Sequence, residues 1–171
     1  FIDAGVWKSN LRQLAQQYAD DNGIECRDIR AREVGMNEAE PNAEAIERDV
    51  LTYEACGGTE HFISYEDTEQ DLLIGFCRLR FPNDPVRREL QDAAIVRELH
   101  VYGSEAGIGE AAGEADWQHR GYGRRLLETA EELAADAGFS KLSVISGIGV
   151  RQYYREKLGY TQDGPYVSTW L

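Results

Sequence analysis

Residues 118–123 read Gln118-His119-Arg120-Gly121-Tyr122-Gly123, and an apolar helical pattern starts inside this stretch and runs to residue 137. The backbone N–H groups of the loop would then be the unpaired donors of a helix N-terminus, which is a common binding site for phosphate. The two glycines let the backbone approach an anion closely, because no side chain stands in the way. Such a string occurs by chance in roughly one chain of this size in ten, so the loop alone is a weak indication.

The charges of the predicted helix strengthen this interpretation. Its start carries Arg120, Arg124 and Arg125, whereas three acidic residues lie between positions 131 and 136. A helix dipole favours the reverse order, with acids in the first turn and bases in the last. An anion bound among the arginines would offset their repulsion by the positive end of the helix dipole. We therefore expect residues 118–124 to bind a diphosphate. An ordinary surface turn is the alternative.

Length and composition limit the class of protein. A chain of 171 residues with 42% hydrophobic residues suits one domain. It contains no run of about 18 apolar residues and no charged-then-apolar leader, so we expect a cytoplasmic protein without a membrane span or signal peptide. Because the chain begins at Phe1 rather than at a methionine, we expect a piece of a longer polypeptide.

The cysteines and histidines predict no metal site. Cys26, Cys56 and Cys77 lie 30 and 21 residues apart, which gives neither a disulfide framework nor a Cys-x-x-Cys pair. The three histidines form no His-x-x-x-His pair at helical spacing. We therefore expect free thiols in a reducing compartment.

The net charge is −13, and 15 of the 18 basic residues are arginine. An acidic, lysine-poor surface is typical of a protein that works in concentrated salt, where screening removes self-repulsion, so we expect a halophilic source. The charge is uneven: residues 36–72 carry eleven acids and one arginine, but residues 78–97 carry five arginines and three acids. An acidic partner would favour the second stretch.

The spacing of apolar residues predicts an α+β fold. Residues 9–22 form a helix and 24–34 an extended segment, followed by strands at 50–56, 59–65, 71–81 and 93–102, the first two joined by a Gly57-Gly58 turn. Behind a connection at 102–117 come a helix at 121–137, a strand at 141–146, a helix at 150–158, and a strand at 160–171 broken near Gly164-Pro165. We expect a mostly antiparallel mixed sheet flanked by helices, with a four-strand meander and one β-α-β crossover.

Further stretches of the chain carry a resemblance to a known family. They are Arg97-Glu98-Leu99-His100-Val101-Tyr102-Gly103, Val144-Ile145-Ser146-Gly147-Ile148-Gly149-Val150-Arg151 with Tyr153-Tyr154, Leu158-Gly159-Tyr160 with Gly164-Pro165-Tyr166, Arg30-x-Arg32-Glu33-Val34-Gly35, and Ile63-Ser64-Tyr65-Glu66-Asp67. Together with the loop at 118–123, they resemble the GNAT acetyltransferases. The resemblance is narrower still to the C-terminal acetyltransferase domain of the catalytic subunit of Elongator.

The resemblance implies a GNAT acyl-CoA N-acyltransferase fold at residues 36–171. Residues 1–35, a helix and a strand, would link it to a missing radical S-adenosylmethionine domain. Members of that family modify the wobble uridine of tRNA with acetyl-CoA as the source of the added group. The missing half would hold S-adenosylmethionine and a 4Fe-4S cluster, neither bound by this segment. Acetyl-CoA and tRNA are the implied partners, and a homodimer stays open.

The resemblance also implies roles for individual residues. Glu98, Leu99, His100 and Val101 would lie along the pantetheine arm, with backbone N–H groups facing the thioester carbonyl. Glu98 and His100 share one strand face with Tyr102, and either could polarise water or a nucleophile. Equally, Glu98 could pair only with an arginine, and His100 could be a packed strand residue.

A tyrosine hydroxyl at the start of the last helix would hydrogen-bond the leaving sulfur, as the GNAT pattern implies. Our choice is Tyr154, which therefore joins the cofactor-binding residues. Four residues separate it from Gly159, whereas GNAT members usually have three. The extra residue could rotate the pair, so Tyr153 stays open.

Eight arginines form the predicted RNA-facing set. They are Arg27, Arg30, Arg32, Arg78, Arg80, Arg87, Arg88 and Arg97. Family members often carry several cysteines near residues 26–32 that help to bind a structural metal. Only Cys26 is present here, so we predict no metal held by this segment alone. Cys26 and Asp28 could still contribute ligands together with residues outside it.

Two other functions compete with the tRNA-modifying one. A protein lysine acetyltransferase would use Glu98 to deprotonate the substrate amine. A non-catalytic module would bind acyl-CoA without chemistry.

Overall fold

A computed structural model describes residue 5 and residues 7–36, 39–103 and 121–171, and its centre is one mixed sheet. The sheet has seven strands in the order β1-β2-β3-β4-β5-β7-β6. The strands are β1 Ile46–Glu54, β2 Gly58–Asp67, β3 Leu72–Pro82, β4 Ala93–Val101, β5 Lys141–Val144, β6 Thr161–Asp163 and β7 Tyr166–Trp170. The helices are α1 Leu11–Asp21, α2 Ile29–Arg32, α3 Tyr122–Asp136 and α4 Arg151–Lys157, with 3-10 turns at Val34–Met36, Arg88–Leu90 and Ile148–Val150.

Strands β1 to β4 form the predicted antiparallel meander, and β4 and β5 are parallel. Helix α3 connects these parallel strands, so the predicted β-α-β crossover is confirmed. Residues 160–171 are not one broken strand but two: β6 and β7 pair antiparallel, and Gly164 turns the chain between them with φ +58°.

Cross-strand register assigns each side chain of the meander to a face. One row runs Val50, Ile63, Cys77 and Leu99, and the neighbouring row runs Leu51, Phe62, Arg78 and Glu98. Directly opposite residues of antiparallel strands point to the same face, and neighbouring residues along a strand point to opposite faces. The two rows therefore lie on opposite faces of the sheet.

The main core lies between the first of these faces and α3. Ile63 and Cys77 are fully buried there, together with Leu126, Leu127 and Ala130 on the apolar stripe of α3. Gly138 follows the helix with φ +88°, in the left-handed region that glycine enters at low cost, so the predicted stop is confirmed. Helix α4 adds Tyr154 to the same core.

Two local predictions are wrong. Residues 24–34 are not a strand: Asp28 accepts hydrogen bonds from the backbone N–H groups of Arg30 and Ala31 and starts the short helix α2. Only Glu33 forms a bridge, to Leu73. The first hairpin turns at Cys56 and Gly57 rather than at Gly57-Gly58, because Ala55 and Gly58 exchange both backbone hydrogen bonds around them.

No helix among residues 7–36, 39–103 and 121–171 is long and apolar enough to span a membrane.

Candidate active site

Strands β4 and β5 separate halfway along β4. Their paired residues end at Val96 and Val144, and Ile145 N–H donates a last hydrogen bond to Val96 O. Strand β4 nevertheless continues to Val101, paired only with β3. The backbone edge of residues 97–101 that faces away from β3 therefore has no strand beside it in the part of the chain that the structure describes, and its polar groups can bind a ligand.

The start of α3 lies beside this free edge. A Cβ atom built on Gly123 would sit 3.6 Å from Val101 Cγ2. Gly121, the N-cap residue, has φ +80° and no side chain with which to cap the helix, and the first turn contains no acid. The N–H groups at this helix end are thus placed to bind an anion next to β4.

The predicted diphosphate loop is only partly described by the structure. Gly121, Tyr122, Gly123 and Arg124 form the start of α3, while Gln118, His119 and Arg120 lie outside the described residues. Arg124 pairs with Glu128 at 2.9 Å, and the guanidinium of Arg125 lies over the rings of Tyr65 and Tyr122. Since both arginines have partners within the chain, their reversed charge alone does not require a bound anion.

Glu98, His100 and Tyr102 lie together on the face opposite α3, as alternation along the strand predicts. Glu98 Oε2 is 3.0 Å from Arg78 Nε, and its Oε1 is 3.2 Å from His100 Nε2. The pairing of Glu98 with an arginine is thus present, and so is contact with a histidine that is about half exposed. A carboxylate in contact with an imidazole is an arrangement that can move a proton.

A β-bulge sets the geometry of this region. Arg78 pairs with Glu98 and Leu79 with Val96, so Arg97 has no opposite residue on β3. Both Arg97 and Glu98 consequently reach the face opposite α3, where Arg97 hydrogen-bonds Glu60. Bulges of this kind re-aim side chains and occur near active sites. The period-2 rule therefore holds only beyond the bulge.

The two tyrosines of α4 differ in burial. Tyr154 is 5% exposed, with its ring against those of Tyr153 and Tyr160. Burial raises the pKa of Tyr154 to about 12, and the nearby Cys77 thiol contributes in the same direction. Cys77 pairs with Leu99 of β4, so Tyr154 lies beneath the strand that carries the free edge. Tyr153 is 47% exposed.

Ser146 was not singled out from the sequence as a site residue. Its Oγ is buried and has no hydrogen-bond partner within the described residues, and it lies one residue beyond the last β4–β5 hydrogen bond. A buried hydroxyl without a partner is costly, and a ligand in the gap between the two strands would supply one. A serine in a glycine-containing loop gives no such signal in the sequence.

The eight arginines predicted to face RNA lie in three places. Arg27, Arg30 and Arg32 lie around α2; Arg78, Arg80 and Arg97 lie on the sheet face opposite α3; and Arg87 and Arg88 lie between β3 and β4. All eight contact acids of the chain, and Arg32, paired with Glu66 and Asp71, and Arg80 are mostly buried. Arg80 also donates to Ala55 O and Cys56 O, which gives it a structural role at the first hairpin.

Within the described residues, no group of three or more His, Cys, Asp or Glu side chains is arranged to hold a metal ion.

Comparison with known proteins relates this geometry to a family. The profile of the Acetyltransferase (GNAT) family matches residues 15–160. A protein named tRNA uridine(34) acetyltransferase from Methanocaldococcus jannaschii is 49% identical over 173 residues, which cover 98% of this chain and 32% of that protein. Elongator complex protein 3 of Schizosaccharomyces pombe is 49% identical over 179 residues, with coverage of 99% and 32%.

A solved structure agrees with these matches. The archaeal Methanocaldococcus infernus Elp3 with N-terminus deletion (1-46) superimposes with a TM-score of 0.85 and 46% identity, over 99% of this chain and 41% of that chain. The chain spans about a third of the length of the curated relatives that it matches. The predicted acetyltransferase fold is confirmed, and the chain belongs to the GNAT family of acetyltransferases.

Proposed function

We propose that this chain is the acetyl-CoA-binding domain of an Elongator-type enzyme that modifies the wobble uridine of tRNA, and that it supplies the acetyl group. The observation that carries the proposal is the free edge of β4 at residues 97–101, which lies directly beside the N-terminus of α3. An extended ligand with a diphosphate at one end and amide groups along its length fits this pair of features. The names of the relatives support the choice of tRNA as the acceptor.

The residues fit such a ligand in three ways. The N–H groups at Gly121 to Gly123, with Gln118, His119, Arg120 and Arg124, would bind the diphosphate. Within Glu98, Leu99, His100 and Val101, the backbone groups that face away from β3 would hydrogen-bond the amide arm, and Ser146 Oγ would find its missing partner there. Bound acetyl-CoA supplies an activated acetyl thioester.

Backbone N–H groups of this edge would also stabilise negative charge on the acyl oxygen. The Tyr154 hydroxyl has no hydrogen-bond partner among the described residues, and because its pKa is raised to about 12 it stays protonated even well above neutral pH. It is therefore suited to donate a hydrogen bond to the departing sulfur. On the opposite face, Glu98 and His100 would take the proton from water or a nucleophile.

The remaining parts of the proposal concern the whole protein. We propose that a radical S-adenosylmethionine domain with a 4Fe-4S cluster accompanies this chain, and that the acetyl unit is released toward it when tRNA docks. We also propose that the protein is a homodimer and works in the cytoplasm of a salt-rich archaeon. The acidic composition supports the salt-rich setting.

Calorimetry with acetyl-CoA tests the binding half. We expect saturable one-to-one binding, and much weaker binding of S-acetylpantetheine, which lacks the nucleotide diphosphate. Equal affinity for the two compounds would refute a diphosphate site at α3. Failure of acetyl-CoA to bind saturably would overturn the proposed function.

A thiol-release assay tests the chemical half. In the full-length protein, release of CoA should rise when the cognate tRNA is added and stay unchanged with protein substrates. Acetylation of protein lysines without a response to tRNA would favour the lysine acetyltransferase. Binding without CoA release under any condition would favour the non-catalytic module.

A further inference from the structure

The sheet face opposite α3 carries a ladder of aromatic rings, which we call the ring ladder: Phe62, Phe76, His100 and Tyr102. Phe62 and Phe76 lie 5.1 Å apart with 24° between their planes, and Phe76 and His100 lie 5.3 Å apart at 26°. His100 and Tyr102 continue the series at 6.3 Å and 18°. The rings belong to β2, β3, β4 and the residue that follows β4, so their near-parallel planes cross three strands.

The ring ladder is exposed to solvent at His100. Phe76 is buried in its middle and Tyr102 is half-buried, but the His100 side chain is 52% exposed. On the other side of the ladder, Leu51 stands opposite Phe62 and is 58% exposed. Exposed apolar and aromatic groups gathered on one sheet face are more typical of a binding surface than of a core.

Three arginines lie on this face beside the ladder. Arg78, Arg80 and Arg97 are paired there with Glu60 and Glu98, and the exposed acids Glu47 and Asp49 lie on the same face at β1. The Arg78 guanidinium lies 5.7 and 5.8 Å from the ring centres of Phe62 and Phe76. Arg97, 48% exposed, uses one amino group on Glu60 and has its other donors free to bind an anion.

We propose that the exposed His100 ring, with the half-buried Tyr102 beside it, stacks an unpaired base of single-stranded RNA, with Arg97 as a phosphate contact. Aromatic side chains on an open sheet bind RNA bases by stacking, and this contributes affinity without strong electrostatics. The chain needs such a contribution because most of its arginines are paired with its own acids. The inference rests on the proposed function: a base stacked there would lie beside the free edge of β4, on the face opposite the diphosphate site.

The test uses the 171-residue chain and fluorescence anisotropy with a labelled oligouridylate of eight nucleotides. An abasic oligomer with the same number of phosphates is the comparison. We expect the oligouridylate to bind about tenfold more tightly or better, since stacking contributes on the order of 1–3 kcal/mol per base. We also expect only a shallow decrease of affinity with salt, because few phosphate contacts are made. Equal affinity for the two oligomers would overturn the proposal.

The variant Tyr102→Leu removes one ring and keeps a smaller apolar side chain at this position. It should lower affinity for the oligouridylate by about tenfold and leave affinity for the abasic oligomer unchanged. Tyr18→Leu, at an exposed tyrosine of α1, is the matched control and should bind as the wild type does. If Tyr102→Leu weakens both oligomers equally or neither, the base is not stacked on Tyr102.

Two further measurements distinguish the other outcomes. If sedimentation shows a dimer that Tyr102→Leu dissociates, a second copy covers the ladder and the proposal fails. Calorimetry with acetyl-CoA on the wild-type chain separates failure of this proposal from failure of the proposed function. If the chain binds acetyl-CoA but does not prefer the oligouridylate over the abasic oligomer, only the stacking proposal is refuted. If it does not bind acetyl-CoA, the proposed function is refuted as well.

Discussion

We propose the Tyr154 hydroxyl as the acid at the leaving sulfur. Its ring is buried and its hydroxyl has no partner among the described residues, so removing the oxygen should leave the packing almost unchanged. We expect Tyr154→Phe to lower the rate of CoA release by about a hundredfold, as loss of a general acid does, with affinity for acetyl-CoA nearly unchanged. Single-turnover thiol release and calorimetry measure the two quantities.

Tyr153→Phe is the matched control for this substitution. Tyr153 is half exposed and lies next to Tyr154 on α4, so its change should leave the rate within about twofold of the wild type. If Tyr153→Phe is instead the slow variant, the extra residue before Gly159 has rotated the pair and Tyr153 carries the role.

Glu60 connects two elements through its buried carboxylate. It is 3% exposed and accepts hydrogen bonds from Arg80 of β3 and from Arg97 at the β4 bulge. Glu60→Ala leaves the mostly buried Arg80 without its counter-ion, so we expect a loss of about 3 kcal/mol in the free energy of unfolding, measured by urea denaturation. Glu128→Ala breaks the exposed pair with Arg124 and should cost less than about 1 kcal/mol. Similar losses in the two variants would contradict a special role for Glu60.

His61 makes stability depend on pH. Burial against Phe81 lowers the pKa of His61 below its usual 6.5, and its Nε2 is buried without a partner in the described structure. As pH falls below about 6.5, the unfolded chain takes up a proton that the folded chain resists, so stability decreases until the folded pKa is passed. Thermal melts at pH 7.5 and 5.5 should show a drop that is smaller in His61→Phe. An identical drop in both proteins would assign it to other groups.

At the scale of elements, the first hairpin depends on two residues in the left-handed region. Cys56 has φ 46° and Gly57 φ 68°, and such a pair favours Asn-Gly. We expect Cys56→Asn to raise stability by about 0.5 kcal/mol, since asparagine adopts this conformation more readily. Gly57→Ala should lower it by about 1 kcal/mol. A built Cβ on Gly57 meets no atom within 4 Å, so that cost comes from the backbone alone. Thermal melts that shift in the same direction for both variants would refute this account.

Strand alternation predicted the meander well but could not predict the β4 bulge. Period 2 places Glu98, His100 and Tyr102 together, and their contacts confirm it. An extra residue in one strand leaves no mark in local composition, because it is defined by the register against β3. The residues that follow the bulge were therefore predicted correctly, while the reach of Arg97 to Glu60 was not.

Short elements were the least predictable from the sequence. Helix α2 has four residues, too few for an apolar period to appear, and only Asp28 as a capping residue marks its start. The Ser146 hydroxyl matters only because the separation of β4 and β5 leaves it without a partner. The start of α3 was predictable, since Gly121 and Gly123 at a helix N-terminus have a local physical reason.

At the scale of the whole molecule, net charge affects stability in a way that no single contact shows. A charge of −13 on 171 residues repels itself at low ionic strength. Raising the salt from 0.1 to 1 M shortens the screening length from about 10 Å to about 3 Å and should therefore raise the melting temperature. A gain of about 2 kcal/mol corresponds to roughly 4–8 °C for a chain of this size.

A charge-reduced variant separates screening from other effects of salt. Glu44, Glu47 and Asp49 are exposed and form no ion pair within the described structure, so Glu44→Gln, Glu47→Gln and Asp49→Asn together remove repulsion without removing a contact. This variant should melt higher than the wild type at 0.1 M salt and gain less on addition of salt, because less repulsion remains to be screened. Equal melting temperatures of the wild type at low and multimolar salt would exclude self-repulsion as a limit on stability, and with it the main support for a salt-rich setting.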